Sequence, residues 1–142
     1  MIDRFTEAAR EAISLAVDAA GSLGHSYVGT EHLLIGLIQE ERGVAGKVLE
    51  ANGVRADKVA ELVSQLISPN QSVRLAEQGG YSPSARRVLE NSYREAVRFK
   101  APLIGTEHIL IAIIRENDCV ASRLLNTMGI SIQRLYVDVL SA

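Results

Sequence analysis

Tyr27–Glu40 reads YVGTEHLLIGLIQE, and Leu103–Glu116 reads LIGTEHILIAIIRE. The two stretches lie 76 residues apart and agree at eight of fourteen positions, the whole Gly-Thr-Glu-His run included. Most mismatches exchange one apolar residue for another. The same offset carries Phe5, Thr6, Ala9 and Arg10 onto Tyr81, Ser82, Ala85 and Arg86. It also carries Val44, Ala45, Leu49 and Gly53 onto Val120, Ala121, Leu125 and Gly129. The chain is therefore one structural unit used twice, and functional residues are sought where the copies agree at polar positions.

Working outward from the phrase, Gly29 and Gly105 precede a helix predicted to begin at Thr30 and Thr106 and to run to about Glu40 and Glu116. These helices are apolar nearly all round, the pattern of a buried central helix. Upstream, Phe5, Ala9, Ala12, Ile13, Ala16, Ala20 and Leu23 form the stripe of an amphipathic helix. Thr6 is a fitting N-cap, and Glu7 complements the helix dipole. The second copy repeats the stripe from Tyr81 to Phe99, with Ser82 as cap and Pro83 at the first helical position, where a missing N–H costs nothing. Downstream, a short helix over 44–51 stops at Asn52-Gly53, a left-handed ending matched by Met128-Gly129. A fourth helix over 56–67 has its counterpart at 132–140.

The expected fold is all-α: eight helices as two tandem four-helix repeats packed with pseudo-twofold symmetry. The first repeat is assigned to residues 1–68 and the second to 81–142. Residues 69–80, polar and ending in Gly-Gly, read as a linker. With 47% hydrophobic but only 4% aromatic residues, the core must be aliphatic, which suits close helix packing. A net charge of −2 with no basic stripe argues against a nucleic-acid binder. The longest apolar runs, 33–38 and 109–114, are too short to span a bilayer, and the first residues lack the apolar core of a secretory signal. The single Cys119 has no internal disulfide partner and reads as a small apolar residue of a reducing, cytoplasmic protein.

Catalytic signatures fail on spacing. Gly43-Val-Ala-Gly46-Lys47-Val48 has two residues between its glycines where a phosphate loop needs four, and a valine where it needs Ser or Thr. His25, His32 and His108 make no zinc-binding pair, and no nucleophile elbow is present. The chain is expected to be non-enzymatic and free of metal and cofactor.

Gly-Thr-Glu-His remains, with two readings. Structurally, Gly permits the turn, Thr caps the helix, Glu complements the dipole, and His packs or donates a hydrogen bond. Functionally, a helix start offers N–H groups to an anion, while Glu in the same turn calls for a cation. Such a site suits a ligand with both charges close together.

Arg4-Phe5-Thr6-Glu7, Gly24-His25, 28–38, Gly43-Val44-Ala45 and Tyr81–Arg87 together resemble the double-repeat N-terminal domain of Clp ATPases of the ClpC type, over essentially the whole chain. The resemblance implies a substrate- and adaptor-binding domain preceding two ATPase modules of a ring-forming unfoldase that feeds a Clp peptidase. ATP and Mg would belong to those modules. It also implies pockets for phosphorylated arginine at Thr30, Glu31, Thr106 and Glu107, and a peptide or adaptor groove including Arg10, Tyr81 and Arg86. Lys100-Ala101-Pro102 and Asn117-Asp118-Cys119 depart from the family pattern, and both flank the second pocket. The isolated domain is expected to be monomeric. A stand-alone Clp-repeat accessory protein with purely structural motifs is the alternative.

Overall fold

A computed structural model describes residues 4–67 and 80–142; the linker assigned to 69–80 lies outside the described residues except for Gly80. Eight helices follow in order among the described residues: α1 (Glu7–Ser22), α2 (Thr30–Gln39), α3 (Val44–Ala51), α4 (Ala56–Leu66), α5 (Pro83–Arg98), α6 (Thr106–Arg115), α7 (Val120–Thr127) and α8 (Ile132–Ser141). The expected starts of α1 and α5 are found. Thr6 accepts the Ala9 N–H at 3.0 Å, and Ser82 accepts that of Ala85 at 3.1 Å.

α2 and α6 form the centre. Leu33, Leu34, Ile35 and Leu37 are at most 2% exposed, as are their counterparts Ile109, Leu110, Ile111 and Ile113. One continuous apolar cluster joins all eight helices. α1 crosses α2 so closely that a Cβ on Gly36 would lie 2.9 Å from the Ala16 nitrogen and collide with the Ala12 carbonyl. Burying this much aliphatic surface is the main force holding the fold.

The halves interlock. Phe5, just before α1, bridges to Ile104, just before α6, with Thr6 N–H on the Ile104 carbonyl at 2.9 Å and Ile104 N–H on the Arg4 carbonyl at 2.7 Å. Tyr81, just before α5, bridges reciprocally to Val28, just before α2. There Ser82 N–H reaches the Val28 carbonyl at 2.9 Å, and Val28 N–H the Gly80 carbonyl at 2.7 Å. The offset converts each bridge into the other, the signature of a pseudo-twofold axis.

One expectation needs correcting. Thr30 and Thr106 do not cap their own helices; Gly29 and Gly105 occupy the cap positions. Thr30 Oγ1 instead accepts the Ala121 N–H of α7 at 3.1 Å, and Thr106 Oγ1 accepts the Ala45 N–H of α3 at 3.2 Å. The cap positions before α3 and α7 are Gly43 and Cys119, neither of which gives a side-chain cap. Each threonine therefore supplies, from the other half, the acceptor that a helix start requires.

Helix ends follow the expected left-handed pattern, with φ of +79° at Gly53 and +76° at Gly129. Gly24 ends α1 the same way, at φ 76°, but its counterpart after α5 is Lys100, held at φ 57°.

Candidate functional site

The Gly-Thr-Glu-His turn is built by mutual accommodation. Gly29 N–H donates to His32 Nδ1 at 2.8 Å, and Gly105 N–H to His108 Nδ1 at 2.8 Å. Each histidine is buried, as expected, and accepts the glycine N–H through Nδ1. The Glu31 carboxyl folds back over the turn into the space a side chain at Gly29 would need. A Cβ there would lie 2.8 Å from Glu31 Cδ, and one at Gly105 would lie 2.9 Å from Glu107 Cδ. Glycine leaves that space to the carboxyl.

In the first half the carboxyl is sealed. Glu31 is 1% exposed, and Tyr27 places its hydroxyl on Oε2 at 3.1 Å. Burial holds the Glu31 carboxyl above the usual range, against its own backbone N–H, the Tyr27 hydroxyl and nearby His25, which favour the charged form. Burial first, and then the Glu31 charge and hydrogen bond, push the Tyr27 phenol up to about 12.

Behind the carboxyl runs a histidine relay. Because His32 Nδ1 accepts from Gly29, its proton sits on Nε2 and donates to His25 Nδ1 at 2.8 Å. His25 then carries its proton on Nε2, which faces the Ile67 carbonyl at 3.4 Å, just beyond α4. Burial, with His25 adjacent, pushes His32 down to about 4. Tyr27 stacks on His25 with ring centroids 5.5 Å apart, closing a three-ring cluster over Glu31.

In the second half the seal is missing. Ala101 replaces His25 and Leu103 replaces Tyr27. A cavity of about 240 Å³ opens there, walled by Phe99, Ala101, Ile111, Val139 and Leu140, with Glu107 and His108 at its polar side. Glu107 is half-buried where Glu31 is buried. The His108 Nε2–H borders this cavity; burial lowers its affinity for a second proton, while Glu107 and Glu95 oppose that. Glu95 is buried and paired with Arg115 Nε at 2.8 Å, and α6 is tied onward to α8 by Arg115 on the Tyr136 hydroxyl at 3.1 Å.

The remaining expected site residues divide between the halves. Arg10 is exposed one turn into α1 and Arg86 one turn into α5, while half-buried Tyr81 is fixed beside Val28 by the bridge. The bridges set the start of α5 against the turn holding Glu31, and the start of α1 against the turn holding Glu107. Tyr27 and His25 were not expected at the site. Their signal was a pair of mismatches, His25 with Ala101 and Tyr27 with Leu103, inside an otherwise retained register.

Residues 4–139 match the family model of the Clp repeat N-terminal domain. The chain belongs to the Clp N-terminal domain family. It is 41% identical over 140 residues to the ClpC/MecB negative regulator of genetic competence of Bacillus subtilis, covering 99% of this chain and 17% of that protein. It is 40% identical over 145 residues to the ATP-binding subunit ClpC of the ATP-dependent Clp protease of Staphylococcus saprophyticus, covering 100% of this chain and again 17% of the relative. The chain thus spans about a sixth of these relatives. Among solved structures, the N-terminal domain of the chaperone ClpD from Arabidopsis thaliana superposes with a TM-score of 0.84 at 31% identity, covering 99% of this chain and 98% of that one. The match is to the non-catalytic, cofactor-free Clp N-terminal module and not to an ATPase module. Among the described residues no helix is long and apolar enough to cross a membrane.

Proposed function

We propose that this Clp N-terminal domain is a docking module, receiving protein clients and adaptors for a cytoplasmic ClpC-like unfoldase that works with a Clp peptidase. Its pockets take phosphorylated arginine, with Glu31 and Glu107 as anionic clamps. One observation carries the pocket reading. Of the four repeated letters, Gly, Thr and His have complete structural uses, as clearance for the carboxyl, as a cap for the other half, and as acceptor for the glycine N–H. Each carboxyl stands at a helix start, and neither Glu31 nor Glu107 makes a salt bridge among the described residues.

A phosphoguanidinium fits that chemistry. Its guanidinium draws the carboxyl off the turn, which frees the first amides of α2 and α6, at Thr30–Glu31 and Thr106–Glu107, for the phosphate. The starts of α5 and α1, across the bridges, add further N–H groups. Arg10, Tyr81 and Arg86 border these starts and line the route of a bound peptide. The ClpV N-domain, which shares this fold at 19% identity and a TM-score of 0.71, has been solved in complex with a VipB peptide.

Calorimetric titration with free phosphoarginine tests the pockets. Up to two sites are expected, with Glu31→Ala and Glu107→Ala each removing one. The Glu107 site, already open, should bind more tightly than the sealed Glu31 site. No heat at millimolar ligand rejects the pockets and leaves client docking to be judged by peptide binding.

A further inference from the structure

α1 and α5 are counterparts under the repeat, sixteen residues each, and each turns outward a line of like charge, acidic on α1 and basic on α5 one turn further along, with exposed Arg10 beside the first and exposed Glu90 beside the second. On α1, Glu7, Glu11, Ser14 and Asp18 follow at steps of four, three and four residues, all exposed. On α5, Arg87, Asn91, Arg94 and Arg98 repeat those steps, with the three arginines exposed and Asn91 half-buried. Such spacing keeps side chains on one line along a helix. Laid antiparallel, the two lines match position for position: Glu7 with Arg98, Glu11 with Arg94, Ser14 with Asn91, and Asp18 with Arg87. A parallel arrangement loses one of the three charge pairs, because Glu7 then faces Pro83.

We propose that α1 of one copy of this chain docks antiparallel on α5 of the next. The occupant is a second copy because both lines belong to the same repeated helix, equal in length and identical in step. Pairing like helices antiparallel is self-complementary in shape, while the like charges along each line disfavour α1 on α1 and α5 on α5. The contact therefore joins unlike helices of two copies.

Existing partners do not block it. Arg87 holds Glu116 at 2.8 Å, Arg98 lies 3.6 Å from Glu95, and Glu7 lies 3.7 Å from Arg42. A guanidinium has five N–H donors and can serve a second carboxylate. Glu11 and Arg94 hold no salt bridge among the described residues; Arg94 donates only to Asn91, at 3.3 Å. Exposed ion pairs are weak and screened by salt, so the chain is monomeric when dilute and associates when crowded.

The test is amide NMR of the 142-residue chain over a concentration series to millimolar. It is run at about 0.01 M ionic strength, where the screening length is about 30 Å, and at about 1 M, where it is about 3 Å. Concentration-dependent shifts confined to α1 and α5, and lost at high salt, are expected. Glu11→Arg and Arg94→Glu should each weaken self-association several-fold, and an equimolar mixture of the two variants should recover it. Absence of shifts at low salt, shifts centred elsewhere, or a mixture no stronger than either variant alone overturns the proposal. An acidic peptide binding α5 while the chain stays monomeric at millimolar concentration overturns the choice of occupant.

Discussion

Lowering the pH should weaken this fold through one buried ring. His32 is 0% exposed, its Nδ1 is occupied by Gly29 N–H, and its Nε2–H is committed to His25. A second proton has no place to go without breaking the turn, so burial and His25 push the ring down to about 4. In the unfolded chain the ring titrates near 6.5, and between these values only the unfolded state takes up the proton. Stability contributed by the neutral ring is therefore full above about 6.5 and is lost as pH falls toward 4. The gap, at about 1.4 kcal/mol per pH unit, amounts to about 3 kcal/mol. Two neighbours modify the slope. His108, also lowered by burial, acts in the same direction, whereas Glu31, held high by burial, takes its proton in the folded state first and opposes it. Urea unfolding from pH 7 to 4.5, comparing the parent with His32→Gln, isolates the His32 contribution as a difference in slope. Ring ¹⁵N NMR should show His32 neutral, with its proton on Nε2, down to pH 5. A ring that titrates near 6.5, a proton on Nδ1, or equal slopes in parent and variant would refute the reasoning.

Three substitutions probe how the halves and their ends are built. Thr30→Val and Thr106→Val keep shape but leave the buried Ala121 or Ala45 N–H without its acceptor, so each should cost about 1–3 kcal/mol in urea unfolding, read as a shift in midpoint at constant slope. Because the left-handed backbone at Lys100 costs a non-glycine residue about 1 kcal/mol, Lys100→Gly should raise the melting temperature by a few degrees, and a lowered one would show that the Lys100 conformation carries no strain.

How much of this was legible in the sequence depends on how local each cause is. Caps at Thr6 and Ser82, the proline at the start of α5 and the glycine endings at 53 and 129 are decided by neighbours in sequence, and all were read correctly. The threonine after Gly29 was misread because its partner lies 91 residues away, at Ala121. A local rule sees Thr before a carboxylate and an apolar run and assigns a cap. It cannot see that the hydroxyl reaches a helix start in the other half while Gly29 takes the cap position. Identity of both copies at this position was the available sign that something beyond capping held it.

The duplication also explains how the two sites could part company while the fold stayed fixed. Gly and His are held in each copy by the same hydrogen bond within the turn, and each threonine caps a helix of the opposite half, so a threonine change in one copy damages the other. His25 and Tyr27 are under no such reciprocal constraint: their rings pack within the first half, over Glu31 and out to Ile67. Replacing them by Ala101 and Leu103 left the turn at Glu107 intact and removed only its cover, opening about 240 Å³ beside the carboxyl. Pseudo-symmetry therefore governs the scaffold and not the access to it, and what distinguishes the two turns lies in residues just before the shared Gly-Thr-Glu-His run, at His25 and Tyr27 against Ala101 and Leu103.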